Sequence, residues 1–153
     1  MDVFIDTNVF VNFLTQSEKS EDAKKLLERV ISDGNSLITS IIVIEETLYI
    51  LTRELLEEKG ITGAYSAREY ISAKGYTDIE KELFKFISMI NELDIRVLDV
   101  KIEITLLTDV MYQFNLLPND ALIAATCKFH RIRDIVTFDN DFKRVDFLNV
   151  WEL

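Results

Sequence analysis

A single cysteine, a single histidine and a single proline stand among 153 residues, and only four positions are glycine. Each scarcity removes a class of structure. One cysteine cannot close an internal disulfide, and one histidine beside it cannot complete a Cys/His zinc set, so any metal here must be held by oxygen. No glycine-rich phosphate loop follows the first apolar run. No apolar stretch approaches the roughly 18 residues of a membrane span. The opening MDVFIDTN carries no basic, signal-like leader, so the expected location is the cytoplasm. Repeats, low-complexity tracts and interdomain linkers are missing as well. Basic residues are outnumbered, 17 against 27 acidic, for a formal net charge of −10. That balance argues against a general phosphate-binding surface, since nonspecific nucleic-acid affinity comes mainly from Lys and Arg. It leaves room for a local basic rim. Carboxylates gathered around a divalent cation also reverse the sign of the local field.

What the chain does have is core-forming material, with 48% hydrophobic residues at a length that suits one domain, residues 1–153. Val3-Phe4-Ile5 is a short apolar run ending at Asp6, and Asn8 is placed to cap the apolar turn that follows. Ala23, Leu26, Leu27, Val30 and Ile31 share one helical face. Leu37–Thr39 predicts a second strand, and Ser40 is placed to cap a long helix from Ile41 to about Glu58. Residues 59–76, with three of the four glycines, predict a helical insertion between breaks. Further helices are expected over 77–91 and 102–114 and after Pro118, with strands near 95–100 and 135–137 and at the edge over 147–151. Short apolar strands alternating with helices imply α/β architecture: a three-layer α/β/α sandwich around a mostly parallel sheet.

In such sheets ligands bind beyond the carboxyl ends of the strands. Asp6 follows the first strand, Asp139 and Asp141 follow a late one, and Asp120 opens a helix whose N-terminus favours a carboxylate. In the long helix Glu45 and Glu46 are adjacent, and at about 100° per residue the stripe Ile41, Ile44, Leu48, Leu51 and Leu55 places Glu45 on the apolar side. Glu46 falls with Arg53, Glu54 and Glu57 toward solvent. Four carboxylates in one place repel strongly unless a cation lies between them. Mg²⁺ or Mn²⁺ takes oxygen ligands and activates water for attack on a phosphodiester.

The motifs Asp6-Thr7-Asn8, Thr39-Ser40-x4-Glu45, Asn119-Asp120-Ala121-Leu122-Ile123-Ala124-Ala125 and Thr137-Phe138-Asp139-Asn140-Asp141-Phe142, in this order, resemble the PIN-domain family of metal-dependent ribonucleases over nearly the whole chain. By that resemblance Asp6, Glu45, Asp120 and Asp139 are the catalytic acids. Asp6, Asp120 and Asp139 or Asp141 would hold the metal, the fourth position being open between the last two. Thr7, Asn8 and Thr137 are its supporting polar groups. Many small members are VapC-type toxins, which implies an RNA substrate, an antitoxin protein and a homodimer; the insertion at 59–76 departs from a minimal toxin. Lys128, Arg131, Arg133, Lys143 and Arg144 are candidates for a phosphate-contacting rim. The competing reading is an inactive PIN-like interaction module that keeps its acids for structure. Cys127, in an apolar helix, reads as a core residue rather than a nucleophile.

Overall fold

The computed structural model describes residues 1–153. Its order of elements is β1 (Asp2–Ile5), α1 (Thr7–Leu14), α2 (Ser20–Ser32), β2 (Ser36–Ser40), α3 (Ile41–Glu58), α4 (Ala64–Lys74), α5 (Glu80–Glu92), β3 (Arg96–Leu98), α6 (Ile104–Phe114), α7 (Pro118–Phe129), β4 (Asp134–Val136), a 3-10 turn (Asn140–Arg144) and β5 (Asn149–Trp151). The five strands form one sheet in the order β3-β2-β1-β4-β5. Every neighbouring pair is parallel, with Val3 opposite Leu37 on one side and Asp134 on the other. β1 is therefore central. Val3, Phe4 and Ile5 are fully buried because helices cover both faces of that strand.

Right-handed crossovers decide which helices lie where. The chain moves from β1 outward to β2 and β3, placing α1 to α5 on one face. It then crosses back to β4 and β5, which puts α6 and α7 on the other. The observed helix neighbours agree: α1 packs on α2 and α3, α3 on α4 and α5, and α6 on α7. The direction of winding reverses between β1 and β4, so a crevice opens at their carboxyl ends.

Two local expectations are corrected. Asp6, not Asn8, is the N-cap of α1, where its extended backbone (φ −85°, ψ 159°) lets the carboxylate accept from the Thr7 amide. Ser40 does occupy the N-cap position of α3, but its side chain makes no capping bond, and the hydroxyl is buried without a hydrogen-bond partner.

The helix within 59–76 starts at Ala64 directly after Gly63, whose φ of 86° lies in the region glycine tolerates. It rests on a small cluster of its own, Leu56, Ala67 and Ile79, separate from the 32-residue main core. Leu56 is fully buried there. Leu56→Ala is expected to lower the free energy of unfolding by about 3 kcal/mol, measured by urea denaturation, while leaving the sheet-end carboxylates in place.

Candidate metal and active site

The crevice between β1 and β4 is laced by hydrogen bonds that begin at Asp6. One carboxylate oxygen of Asp6 accepts from the Thr7 amide at 2.7 Å; the other accepts from Asn8 Nδ2 at 2.8 Å and from the Thr137 hydroxyl at 2.6 Å. Thr137 Oγ1 in turn accepts from Asn8 Nδ2 and from the Asp139 amide, both at 3.0 Å. One hydroxyl thus uses its donor and both acceptor positions. Asn8 Oδ1 accepts from the Phe138 amide at 3.0 Å, and the Asp6 amide donates to the Val136 carbonyl at 3.1 Å. These bonds tie together two segments 131 positions apart. They explain the pattern Asp-Thr-Asn after one strand and Thr-Phe-Asp after another: each short polar side chain reaches across the strand ends.

Around this lattice the structure gathers carboxylates. Ligand oxygens of Asp120, Asp139 and Asp141 lie within 4.8 Å of one another. Asp120 comes from the first turn of α7, Asp139 caps the 3-10 turn, and Asp141 sits inside it. Asp139 Oδ1 accepts from the Asp141 amide at 2.8 Å. Both Asp139 and Asp141 therefore stand at the site. The charges are felt throughout: burial pushes the Asp6 carboxyl up to about 6, opposed by the Thr137 and Thr7 hydrogen bonds and helped by the nearby charges of Glu46 and Asp120. Asp120 is raised by burial and then by Asp139, Asp141 and Glu46, with Arg144 acting the other way. Asp141 is lowered, chiefly by its hydrogen bond from Arg144.

The glutamate at this site is Glu46. Thr7 Oγ1 donates to Glu46 Oε2 at 2.5 Å, and Asn119 Nδ2 donates to Oε1 at 2.8 Å, so both carboxylate oxygens are fixed. Glu45 is exposed and points elsewhere, lining an apolar groove of about 570 Å³ between α3 and α5 with Leu48, Tyr49, Phe84 and Ile87. The helical projection misjudged which side of α3 faces the core. Its buried residues are Val43, Ile44, Thr47, Leu51 and Leu56, whereas Ile41 is 51% exposed and Leu48 only half-buried. Counting Ile41, Leu48 and Leu55 as core rotated the expected buried face toward Glu45. The face turned to the core also carries Thr47, fully buried with its hydroxyl bonded to the Val43 carbonyl, which an apolar stripe leaves out.

The expected cationic rim is mostly not at the site. α7 runs back across the sheet for about 18 Å, so Lys128, Arg131 and Arg133 lie at the amino ends of the strands, away from the carboxylates. Lys128 stacks over the Phe147 ring. Lys143 pairs with Glu152, and Arg144 with Asp141 at 2.6 Å. A cation that sequence inspection passed over, Lys19, sits 5.0 Å from the centre of the Phe138 ring, one residue from Asp139. Leu117 holds the N-cap position of α7, and the Asn119 side-chain amide donates to Glu46. Cys127 is buried, and burial pushes its thiol up, away from nucleophilic use.

A parallel sheet wound in this order, with an Asp after β1, a Glu on the helix after β2, an Asp opening the last helix and acids after β4, defines a PIN domain. The PIN domain profile matches residues 3–148, and the chain belongs to that family. Among characterised relatives it is similar to Ribonuclease VapC6 of Methanocaldococcus jannaschii, with 38% identity over 151 residues, 97% of this chain and 95% of that protein. Ribonuclease VapC2 of the same organism is 34% identical over 156 residues, covering 99% of this chain and 93% of the relative. Among solved structures it resembles a chain of VapBC2 from Rickettsia felis bound to a DNA fragment from their promoter, at TM-score 0.63 and 20% identity, with 99% and 98% of the chains covered.

Proposed function

We propose that this protein is a divalent-metal-dependent endoribonuclease and the toxin member of a toxin–antitoxin pair. The observation that carries this reading is the convergence of Asp6, Glu46, Asp120, Asp139 and Asp141 at the carboxyl ends of β1 and β4, with one cation, Arg144, bonded to any of them. The donor set is oxygen only. Carboxylate oxygens sharing one hard divalent ion lie at most about 4 to 5 Å apart, which the Asp120, Asp139 and Asp141 oxygens satisfy. The residues therefore fit Mg²⁺ or Mn²⁺. Such an ion supplies a water of lowered pKa and stabilises charge developing on a phosphoryl oxygen.

The chain's own side chains do the rest. Asp120, Asp139 and Asp141 would hold the ion, and Asp6 contributes a carboxylate whose direction is set by Thr7, Asn8 and Thr137. Glu46, fixed by Thr7 and Asn119, faces the same cluster with lone pairs to spare for a water proton. RNA as substrate and an antitoxin as partner follow from the similarity to the VapC ribonucleases. We place the work in the cytoplasm, a reading that rests on the similarity to the VapC ribonucleases; no helix is long and apolar enough to cross a membrane. Residues 1–153 form one domain in this reading, with 59–76 as an insertion, and homodimer formation is supported by the exposed Ile104 and Tyr112 of α6.

The test is cleavage of a structured RNA by the purified protein with Mg²⁺ or Mn²⁺, with chelator, and with Asp6→Asn protein purified identically. Metal-dependent cutting that the variant lacks is the expected result. Equal cutting by both proteins would assign the activity to a contaminant, and no cutting with unchanged metal binding would sink the metal-site reading.

A further inference from the structure

Arg144 makes more defined contacts than a surface cation needs. Its Nε donates to the Phe114 carbonyl at 3.1 Å, one terminal nitrogen donates to the Asn115 carbonyl at 2.9 Å, and the other donates to Asp141 Oδ1 at 2.6 Å. All three nitrogens of the fork are occupied. The two carbonyls belong to the end of α6, where Asn115 closes the helix in the left-handed region (φ 52°). They are acceptors that no intrahelical amide can reach, at the negative end of the helix dipole. Only a planar, multidentate cation can satisfy them and a carboxylate at once. Lys143, next to it, is engaged by Glu152 instead.

The position of this fork matters because of what it joins. α6 leads through Leu116 and Leu117 directly into the turn of α7 that carries Asp120. The 3-10 turn carries Asp139 and Asp141. The guanidinium supplies hydrogen bonds from that turn to the end of α6, and it occupies one oxygen of Asp141, leaving the other without a protein partner.

From this geometry we infer that Arg144 is a positioning residue, clamping the 3-10 turn to the end of α6 so that Asp141 is presented to a divalent cation together with Asp120 and Asp139. The inference rests on the metal-dependent reading above. Two effects of Arg144 on a bound cation oppose each other. Its positive charge repels the ion, and its clamp preorganises a ligand. The Arg144 and Asp141 side chains are 44% and 45% exposed, so water and salt screen the repulsion. The restraint is not screened, so the clamp wins. Arg144 is then a residue whose removal weakens cation binding although a like charge has gone.

The experiment is Mn²⁺ titration, followed by calorimetry or by the free-ion electron paramagnetic resonance signal, of wild type, Arg144→Ala, Arg144→Lys, Asp141→Asn and the Arg144→Ala/Asp141→Asn double variant. Thermal melts in chelator check that each is folded. Arg144→Ala is expected to weaken binding about tenfold, the lower end of the usual loss for a residue that orients a ligand. Arg144→Lys, which restores charge without the fork, is expected to stay weakened. The double variant should bind no worse than Asp141→Asn alone, since the clamp acts only through that carboxylate. Unchanged or tighter binding by Arg144→Ala overturns the inference, and so do fully additive losses. If wild type itself does not bind Mn²⁺, or Asp141→Asn binds as wild type does, the inference falls. Only failure of wild type to bind takes the metal-dependent function with it.

Discussion

Asp6→Asn is expected to lose metal-dependent RNA cleavage by a factor on the order of 10³ while the metal-free protein melts no lower than wild type. The two halves of that result have one cause. Asp6 is buried, and its carboxyl is pushed up to about 6 from an ordinary 3.8. With no cation bound, holding it ionised at neutral pH therefore costs about 3 kcal/mol. An amide removes that cost but cannot copy every contact. Asp6 accepts three hydrogen bonds through two oxygens, and an asparagine must turn its NH₂ toward at least one of those donors, a loss of about 1–3 kcal/mol. The net change is zero to about 2 kcal/mol in favour of the variant.

Its pH dependence follows from the sign of the shift. A carboxyl whose folded pKa is raised stabilises the fold most when protonated. That contribution is complete below the unfolded value near 3.8 and is lost as pH rises through about 6. Melting temperatures in chelator should therefore favour Asp6→Asn most above pH 6, with the difference shrinking toward pH 4. A variant that melts far lower at every pH would make Asp6 a structural cap rather than a metal-site acid.

The second large effect separates two adjacent glutamates. Glu46→Gln is expected to lower cleavage on the order of 10²-fold, while Glu45→Gln changes it less than about twofold, the usual result for an exposed side chain. Glutamine at 46 keeps one acceptor oxygen for Asn119, and the Thr7 hydroxyl can rotate to accept from the new NH₂. The fold is kept and the charge is removed. Rates measured at saturating Mn²⁺ and again at limiting Mn²⁺ show whether the loss lies in cation binding or in the chemistry. The reverse ranking of the two variants would return Glu45 to the site.

The comparison of those two residues also shows where sequence reading works and where it stops. The strand-end acids were legible because strand ends are marked by abrupt change: Val3-Phe4-Ile5 gives way to Asp6, and Ile135-Val136 to Thr137 and Asp139. The parallel sheet was legible because its strands are short and apolar throughout, although β3, Arg96–Leu98, is a largely exposed edge. Helix rotation was harder. α3 carries apolar residues on more than one side, some facing the sheet and others the groove beside α5, so an average over all of them points between two faces. Which cations reach the site was not legible at all, because that depends on the direction in which α7 crosses the sheet. Arg144 and Lys128 are both cations near the chain's end, yet one stands over the carboxylates and the other at the far edge.

The position of β1 at the centre of the sheet has a consequence in time. Asp6 is made well before β4, the strand on one side of it, and before Thr137, which orients its carboxylate and lies some 130 positions later. At roughly 5 to 20 residues per second, the first acid waits on the order of ten seconds or more for its last partner. Contacts so distant along the chain also form late in folding. A nascent chain that has not yet made β4 has no assembled cluster of acids, so an enzyme that degrades RNA is built in an order that delays its reactivity until the carboxylates after that strand have been translated.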